Sequence, residues 1–430
     1  MRILLENVRS FCGRHEIPVC PLTLLVGENS TGKSTFLAML NHVSDYRFGS
    51  LRPSFNEEPF KLGTYDSIAT YKGGRFGRAD AFAVGTISSA GKRYGEAIST
   101  YASYKGQPQL ARLEANVKGG KILLDIDSDT LEATLKVHSN GAGSETVRLN
   151  LKGRAAAESE GPIPSLVLRT LYEQSEKKGR GRLFRVVDEV FFEGFSPFRA
   201  RSVIALAPVR TRPKRTYDVI SDEFSPEGDH IPVLLARILQ GEDVTLKERL
   251  IEALTEFGTE SGLFERISVK SLGARPSDPF QILVSLVGPA ANLLDVGYGV
   301  SQALPIVVQS ILAQQRPHPT QLLLQQPEVH LHPRGQAALG SFFSRLVART
   351  KMEFVVETHS DYLVDRVRQE VARGTIAHDK VLILFFDKKG IETTVDQLHL
   401  DERGNVVDAP SSYRQFFLEE ETNLLRRTIK

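Results

Sequence analysis

The chain has no tryptophan and very few sulphur-containing residues. Its 430 residues include two cysteines and three methionines, and the aromatic fraction is only 8%. Cys12 and Cys20 could close one small loop, but a chain of this length does not depend on such a link. The scarcity of cysteine excludes a disulfide scaffold and favours a reducing cytoplasm.

The sequence also lacks long apolar runs. No run approaches the roughly 18 residues that a membrane-spanning helix needs. The first residues, "MRILLENVRSF", have neither the apolar core nor the cleavage site of an export signal. We therefore expect a cytoplasmic protein without a membrane partner.

Neither sign of charge dominates the composition. Lys and Arg number 54 against 52 Asp and Glu, which gives a formal net charge of +2. A nucleic acid would have to be bound by a local patch rather than by the overall field. Apolar residues make up 41% of the chain, which is typical of a globular protein and excludes a disordered one.

The spacing of apolar residues differs between three parts of the chain. The last third alternates between strand-like runs, such as "QLLLQQ", "EFVVETHS" and "KVLILFF", and helical spacing at residues 334–349 and 361–373. That alternation predicts a mainly parallel sheet covered by helices on both faces. Residues 81–152 predict an antiparallel meander, because short β-rich pieces alternate with Gly, Asp and Asn turns. Helical spacing returns over residues 164–258.

The most specific motif is "GENSTGKST" at residues 27–35. It matches G-x-x-x-x-G-K-[ST] and lies between a predicted strand and a predicted helix, as a phosphate-binding loop requires. In such a loop Lys33 bridges the β- and γ-phosphates and Ser34 ligates Mg²⁺. A chance glycine turn is the alternative. The predicted ATP contacts are Gly27, Asn29, Ser30, Thr31, Gly32, Lys33, Ser34 and Thr35.

A second motif is expected on the strand beside this loop. Four apolar residues usually precede an acid that holds Mg²⁺, and a Glu that polarises the attacking water often follows. Here "LLLQQ" ends in Gln325 and Gln326. A glutamine amide can bond to a magnesium-bound water, but it brings no negative charge and cannot accept a proton. We therefore expect Gln325 near the metal and Gln326 near the water, with binding less affected than turnover.

Three histidines lie close to these strands. "ETHSD" follows the next predicted strand and places His359 at the edge of the sheet where parallel sheets bind ligands. His359 could contact the γ-phosphate, although a structural role is the alternative. His330 and His332 have no Cys or acidic partner at ligand spacing, so we interpret them as loop structure rather than as metal ligands.

Together the phosphate loop, "GYGVSQ" at residues 297–302, "QQPEVHLHP" and "ETHSD" resemble the ABC-type ATPase heads of the overcoming-lysogenization-defect and AAA15 families. Those heads are related to the SMC, Rad50 and RecF heads. The resemblance covers roughly residues 1–71 and 264–386, and it reaches the middle of the chain only at "APVRTRPKRTYD". It implies an α/β, ABC-type P-loop ATPase head with a mixed, largely parallel sheet covered by helices, an antiparallel β subdomain and a helical insertion.

The resemblance also predicts how the chain is divided. The N-terminal part of the ATPase core would contain the phosphate loop, and the C-terminal part would contain the signature, the altered acidic motif and the switch histidine. The expected ranges are residues 1–80 for the first part, 81–152 for the antiparallel subdomain, 153–262 for the helical insertion or arm, and 263–430 for the second part.

Roles for further residues follow from the same resemblance. Tyr65 and Asp66 lie where these heads have a γ-phosphate-sensing loop, and His359 would be the switch histidine. The signature that reaches a partner protomer's nucleotide would consist of Gly299, Ser301 and Gln302. Each ATP, with its Mg²⁺, would be held between two copies of the chain, so that a dimer or higher oligomer is the functional unit.

The departure from the family lies in the two glutamines. Many relatives have an acidic pair at these positions, and some have an acid followed by Gln. Glu328 and Glu357 are nearby carboxylates that could orient water or Mg²⁺. We therefore predict catalytic contributions from Glu328, Glu357, His359 and Gln326, with slow or absent hydrolysis and ATP holding an assembly together.

The biological role is also inferred from the resemblance. Some relatives carry a C-terminal Toprim nuclease, for which the tail after "KVLILFF" is too short. This favours a stand-alone ATPase subunit like those of the PARIS and Septu anti-phage systems, in which the ATPase carries or restrains a separate effector, often a nuclease. The helical stretch over residues 164–258 would then contact the effector or other protomers, or it would simply elaborate the helical lobe.

Two other functions stay open at this point. A RecF- or Rad50-like repair ATPase would clamp DNA, with "KKGRGR" at residues 177–182 and "RTRPKR" at residues 210–215 meeting phosphates. Solvated loops, or arginines paired with acids, are the alternatives for these basic runs. A non-catalytic scaffold with the same fold is the third possibility.

Overall fold

The protein is described by a computed structural model that covers residues 1–45, 47–74, 77–90, 93–139, 143–151, 163–178, 181–199, 201–218, 222–275, 278–286 and 288–413. The strands are β1 (Arg2–Val8), β2 (Phe11–Pro18), β3 (Leu22–Gly27), β4 (Tyr71–Gly73), β5 (Gly77–Arg78), β6 (Ala81–Ala90), β7 (Arg93–Tyr104), β8 (Gln107–Val117), β9 (Gly120–Ile126), β10 (Glu132–Ser139), β11 (Gly143–Asn150), β12 (Ser202–Leu206), β13 (Arg266–Ser271), β14 (Phe280–Ser285), β15 (Ala291–Asn292), β16 (Thr320–Gln325), β17 (Met352–Glu357), β18 (Val381–Lys389), β19 (Glu392–Leu400) and β20 (Val406–Val407).

The helices alternate with the strands mainly in the first and last parts of the chain. They are α1 (Lys33–Ser44), α2 (Tyr65–Ile68), α3 (Ile163–Lys178), α4 (Gly181–Arg199), α5 (Ile231–Gln240), α6 (Val244–Ser261), α7 (Tyr298–Ala313), α8 (Pro333–Arg349) and α9 (Asp361–Ala372). Short 3₁₀ turns occupy Leu293–Asp295 and His378–Lys380.

A seven-stranded sheet forms the centre of the molecule. Its order is β12-β16-β17-β3-β18-β19-β20. The first five of these strands are parallel to one another, β19 is antiparallel to β18, and β20 is antiparallel to β19. The predicted mixed, largely parallel sheet is confirmed. Its carboxyl edge therefore gathers the residues that follow β3, β16 and β17.

Both faces of this sheet are covered, because successive side chains along each strand point in opposite directions. On β18, Val381 and Ile383 join the apolar core beneath the helices α5 to α9. Leu382 and Leu384 join the other core, which α1 and the antiparallel sheet share. The near-continuous apolar runs of the predicted strands reflect this burial on both faces.

The second large sheet is antiparallel throughout. Its order is β11-β10-β9-β8-β7-β6-β1-β2, and α4 packs across β7, β8 and β9. The predicted antiparallel subdomain is confirmed, but it is larger than residues 81–152, because β1 and β2 from the N-terminal part join it through β6. The first strand of the chain thus belongs to this sheet and not to the parallel one.

The range predicted as a helical insertion also contains a strand. Within residues 153–262, β12 pairs in parallel with β16 and forms the edge of the central sheet. The helices α3 and α4 precede it and pack their apolar side chains into the core of the antiparallel sheet, whereas α5 and α6 follow it and cover the central sheet. The range 153–262 therefore contains two pairs of helices. The first pair, α3 and α4, packs on the antiparallel sheet, and the second pair, α5 and α6, packs on the central sheet.

The helices in the described ranges are too short or too polar to cross a membrane. Cys12 and Cys20 are both free thiols and partly buried, so they form no disulfide.

Candidate functional site

The phosphate loop connects β3 to α1 at the carboxyl edge of the central sheet. Gly27, the last residue of β3, has a φ of +134°, and a Cβ at this position would lie 2.1 Å from the carbonyl oxygen of Phe386 on β18. Only glycine fits this contact. Ser30 also has a positive φ, of +62°, within the loop. The backbone thus takes the curled path that lets N–H groups converge on phosphates.

Two neighbouring elements hold the end of the loop in place. The Oγ1 of Thr393 on β19 donates to the carbonyl oxygen of Thr31 at 2.8 Å. A Cβ at Gly32, whose φ is +103°, would lie 3.1 Å from the ring of Phe11 and 3.3 Å from Thr393 Oγ1. No local pattern predicts this contact, because Thr393 lies 362 residues after Thr31 in the chain.

Lys33 is buried at the start of α1 and its ammonium group turns back into the loop. Its Nζ donates to the carbonyl oxygens of Gly27 at 3.0 Å and Glu28 at 2.5 Å. Burial lowers the pKa of Lys33, while the charges of Glu357 and Glu28 raise it. The predicted phosphate-binding lysine is therefore positioned by the loop's own carbonyl groups.

Arg9 is a second cation beside the loop, and it lies in none of the sequence motifs. It lies in the tight turn between β1 and β2, and its Nη1 donates to Thr35 Oγ1 at 3.3 Å. Its other guanidinium nitrogens donate to the carbonyl oxygens of Ser67 at 3.1 Å and Leu62 at 3.1 Å. Arg9 thus ties the start of α1 to the segment that carries Tyr65 and its neighbour, and nothing in its spacing could have shown this.

Ser34 contacts a carboxylate directly. Its Oγ lies 2.9 Å from Oε1 and 2.8 Å from Oε2 of Glu357, the last residue of β17. Burial raises the pKa of the Glu357 carboxyl, and the Ser34 hydroxyl and the charge of Lys33 lower it. A carboxylate therefore lies against the hydroxyl that ligates Mg²⁺ in loops of this type.

The strand that ends in the two glutamines does not lie beside the phosphate loop. The expectation that it does was wrong, because β17 lies between β3 and β16. In the parallel register Glu357 pairs with Leu25 of β3 on one side and with Gln325 of β16 on the other. The carboxylate nearest the loop therefore comes from β17.

The two glutamines differ in environment. Gln325 is buried, and its Nε2 has no hydrogen-bond partner within the described ranges. Gln326 is partly buried with a φ of +43°, and its backbone N–H donates to the carbonyl oxygen of Glu357 at 2.8 Å. A positive φ is uncommon for a residue other than glycine and marks a sharp change of direction at the strand end.

The side chain of Glu328 is hydrogen-bonded to the backbone of His359. Oε1 of Glu328 accepts the backbone N–H of His359 at 2.7 Å, and the imidazole itself is exposed. Burial raises the pKa of the Glu328 carboxyl, while hydrogen bonds from His359 and Thr358 and the charge of Arg210 lower it. Burial and the nearby Lys33 charge lower the pKa of His359, which favours a neutral imidazole.

The predicted signature residues lie in the first turns of α7. Gly299 packs closely, because a Cβ there would lie 3.1 Å from Leu263. Ser301 is buried and donates to the carbonyl oxygen of Tyr298 at 2.8 Å, and Gln302 is buried against the backbone of Arg210. Gly297 and Tyr298, just before them, are the exposed positions of this helix start.

The other predicted positions are placed as follows. Tyr65 is buried in α2, its hydroxyl donates to the carbonyl oxygen of Ala79 at 2.9 Å, and burial raises its pKa to about 12. Asp66 is exposed beside it. His330 is exposed in the loop after β16, and His332 caps α8 by accepting the backbone N–H of Arg334 at 3.3 Å, which agrees with their interpretation as loop structure.

The structure describes the side chains of one of the two basic runs. The side chains of residues 177–182 lie outside the described ones. In the second run Arg210 is buried, and Arg215 donates two hydrogen bonds to Asp295, at 3.0 and 2.7 Å. Arg212 and Lys214 of the same run are exposed.

The structure thus brings most of the predicted nucleotide residues to one edge of the central sheet. Lys33, Ser34, Glu357 and His359 lie together there, and Glu328 is joined to His359 by a hydrogen bond. Within the described part of the chain no cluster of three or more His, Cys, Asp or Glu side chains could hold a metal alone. A magnesium ion here would therefore need oxygen atoms from the phosphates, as in other phosphate loops.

A protein-family model described as "AAA domain, putative AbiEii toxin, Type IV TA system" matches residues 22–365. The match begins at β3 and extends into α9, so it contains the phosphate loop, α7, β16 and β17. No curated protein matches the chain by sequence.

Solved structures of SMC heads are similar to this one over nearly the whole chain. The SmcHead bound to the C-winged helix domain of ScpA has 11% identity and a TM-score of 0.43, covering 93% of this chain and 98% of that one. The SMC head domain from Thermotoga maritima has 10% identity and a TM-score of 0.41, with coverages of 93% and 98%. The Smc head domain from Pyrococcus furiosus, bound to the C-terminal domain of ScpA, has 12% identity and a TM-score of 0.41, with coverages of 100% and 99%.

Proposed function

The chain belongs to the AAA-domain family whose model matches it, and on this premise we propose that it is an ATP-binding subunit that assembles around ATP and hydrolyses it slowly. It has the fold of an ABC-type P-loop ATPase head. Within this function, β3 and α1 bind the phosphates, and the ends of β16 and β17 act on the γ-phosphate and the attacking water.

The contact between Ser34 and Glu357 is the observation that supports this proposal most strongly. It places a carboxylate against the magnesium-binding hydroxyl although β16 ends in two amides. The residues present therefore fit a magnesium nucleotide, with Ser34 and Glu357 on the metal side and Gln325 next to them in register. Bound Mg²⁺ would neutralise charge on the β- and γ-phosphate oxygens.

Hydrolysis is proposed to be slow because of the side chain at position 326. An amide at the end of β16 cannot accept a proton from the attacking water. Glu328 is the nearest carboxylate in sequence, and its tie to the backbone of His359 orients it at the same sheet edge. We assign proton acceptance to Glu328, hydrogen bonding of the water to Gln326, and contact with the γ-phosphate to His359.

A dimer is proposed as the form that holds ATP most tightly. The start of α7, with Gly299, Ser301 and Gln302, would face the nucleotide of a second copy through the exposed Gly297 and Tyr298. The helix N-terminus and its free backbone N–H groups favour an anionic ligand at this position.

The assembled form is proposed to carry or restrain a separate effector protein, a nuclease, in bacterial anti-phage defence. The family description names a toxin of a TA system, which is compatible with such a role. The helices α3 and α4 are the proposed contact region, because they contribute no nucleotide-binding residue and leave Tyr172 and Phe192 exposed. A DNA clamp is the second candidate; in the second basic run Arg210 is buried and Arg215 is paired with Asp295, whereas Arg212 and Lys214 are exposed.

Size measurement with and without ATP and Mg²⁺ tests the assembly directly. The wild type is expected to shift from monomer to dimer or larger with ATP and Mg²⁺, and Lys33→Ala is expected to stay monomeric. Lys351→Ala is a matched control on the exposed turn before β17, and it should associate like the wild type. If all three proteins have the same size with and without ATP and Mg²⁺, the proposal of ATP-dependent assembly is refuted.

A further inference from the structure

A buried hydroxyl on β19 is hydrogen-bonded to the end of the phosphate loop. Thr393 is 0% exposed, and its Oγ1 lies 2.8 Å from the carbonyl oxygen of Thr31 and 2.7 Å from the Oγ of Ser10. Its backbone N–H donates to the carbonyl oxygen of Ser10 at 2.8 Å. Ser10 lies next to Arg9 in the turn between β1 and β2. One side chain therefore joins this turn, the phosphate loop and β19.

The direction of these hydrogen bonds follows from the chemistry of the groups. A hydroxyl has a single proton to donate, and a carbonyl oxygen can only accept. Thr393 therefore donates its proton to Thr31, and the proton between the two hydroxyls comes from Ser10. The bonds form a directed chain from Ser10 through Thr393 to Thr31, in which each bond strengthens the next.

The bond to Thr31 fixes the orientation of the peptide unit that leads into α1. In a trans peptide the C=O of one residue and the N–H of the next point in opposite directions. The carbonyl oxygen of Thr31 is turned toward β19, so the N–H of Gly32 points away from β19. Gly32 is the residue before the first turn of α1 and has a φ of +103°. The orientation of this N–H therefore depends on a side chain outside the loop.

Bonds within the loop hold its other side. The hydroxyl of Thr31 donates to the carbonyl oxygen of Glu28 at 2.8 Å, and Lys33 Nζ donates to the same oxygen at 2.5 Å. The bond from Thr393 adds a support from outside, just before α1. The loop is thus held at both sides in the absence of a nucleotide.

We propose that Thr393 is a positioning residue for nucleotide binding. Through its bond to Thr31 it keeps the N–H of Gly32 turned toward the phosphates, and Ser10 acts through it. The loop then has its binding conformation before ATP arrives, so that no affinity is lost in ordering this peptide. This inference rests on the proposed function, in which the loop binds ATP.

The position of Thr393 predicts an effect on ATP affinity and not on turnover. In the central sheet β18 and β19 lie on one side of β3, whereas β16 and β17 lie on the other. The residues assigned to the attacking water follow β16 and β17. Loss of the Thr393 hydroxyl should therefore weaken binding and leave the rate at saturating ATP unchanged.

The first test measures the dissociation constant of ATP by titration for wild type, Thr393→Val and Thr393→Ser. Valine has the shape of threonine without the hydroxyl, so Thr393→Val should bind ATP about tenfold more weakly. Thr393→Ser retains the hydroxyl and should stay within about twofold of the wild type. Thr394→Val is the matched control, because Thr394 is the next residue of β19 and its side chain lies on the opposite face. It should bind ATP like the wild type.

The second test asks whether Ser10 acts through Thr393. Ser10→Ala alone should weaken ATP binding by about threefold, because it removes the donor to Thr393 Oγ1. In the Thr393→Val background the same change should have no further effect. If the two changes weaken binding independently, Ser10 does not act through Thr393 and the directed chain is overturned.

The outcomes separate this inference from the proposed function. Wild-type affinity in Thr393→Val would overturn the inference and leave the proposed function intact. A single-turnover rate at saturating ATP that falls as much as the affinity would show a general disturbance of the site and would also overturn it. Should Thr393→Val fail to fold, unchanged affinity in Ser10→Ala would overturn the inference. A wild type that does not bind ATP would refute the proposed function and the inference together.

Discussion

Ser34 at the start of α1 lies within hydrogen-bond distance of both carboxylate oxygens of Glu357 at the end of β17, at 2.9 and 2.8 Å. The two residues are far apart in sequence and are brought together because β17 is the immediate neighbour of β3. This contact places the carboxylate of Glu357 beside the phosphate loop. The glutamines of β16 supply no such negative charge. Nucleotide binding and slow turnover can therefore coexist in this chain.

Hydrolysis should respond to the side chain at position 326. Gln326→Glu introduces a group that can accept a proton, so we expect single-turnover hydrolysis at least about tenfold faster than in the wild type. Glu328→Gln should slow the wild type by about 100-fold, because it removes the assigned proton acceptor. Rates are measured with radiolabelled ATP at saturating Mg²⁺. Brisk wild-type turnover that Glu328→Gln leaves unchanged would contradict these assignments.

Stability should depend on the glycine that ends β3. Gly27→Ala places a methyl group 2.1 Å from the carbonyl oxygen of Phe386, so we expect a loss of about 3 kcal/mol in the free energy of unfolding. Gly374→Ala is the matched control, because Gly374 also has a positive φ but nothing within 4 Å of its Cβ position. It should lose only about 1 kcal/mol. Equal losses would show that backbone strain, and not the contact with β18, dominates at Gly27.

Stability should also fall at mildly acidic pH because of His42. Its ring is buried, it stacks on Phe55 and lies 3.1 Å from the hydroxyl of Tyr101, and burial lowers its pKa to about 4. The folded protein therefore keeps His42 neutral, while the unfolded chain binds a proton near pH 6.5. Stability is complete above that value and is lost as the pH falls toward 4, by about 2 kcal/mol between pH 7 and pH 5.

The variant His42→Gln isolates this contribution. Glutamine does not titrate in this range, so the decline of the unfolding free energy between pH 7 and pH 5 should be about 2 kcal/mol smaller than in the wild type. His399→Gln changes an exposed histidine of β19 and should retain the wild-type decline. The same decline in all three proteins would mean that other groups cause the pH dependence.

Local patterns in the sequence were sufficient to predict much of the fold. The phosphate loop between β3 and α1, the strands β16 and β17, and the helices α8 and α9 all follow from apolar periodicity and glycine placement. The order of the strands did not follow. The position of β17 between β3 and β16, and the addition of β12 to the sheet, depend on pairing between segments far apart in the chain.

The candidate site shows the same division between local and distant information. Lys33, Ser34 and His359 were found because they lie in motifs with fixed spacing. Arg9 and Thr393 were not found, since their contacts with the loop cross sheet neighbours and leave no spacing in the sequence. Arg210 is recognisable in the sequence only as part of a basic run, and its burial is shown by the structure alone.

The most direct test of the account is the Mg²⁺ dependence of ATP affinity in wild type and Glu357→Gln. If Glu357 replaces the carboxylate missing from β16, Mg²⁺ should strengthen ATP binding in the wild type, and Glu357→Gln should weaken Mg²⁺-dependent binding by about tenfold or more. Glu353→Gln, which changes a partly buried glutamate near the other end of β17, is the control and should keep the wild-type response. An unchanged response in Glu357→Gln would contradict the assignment of Glu357 to the metal.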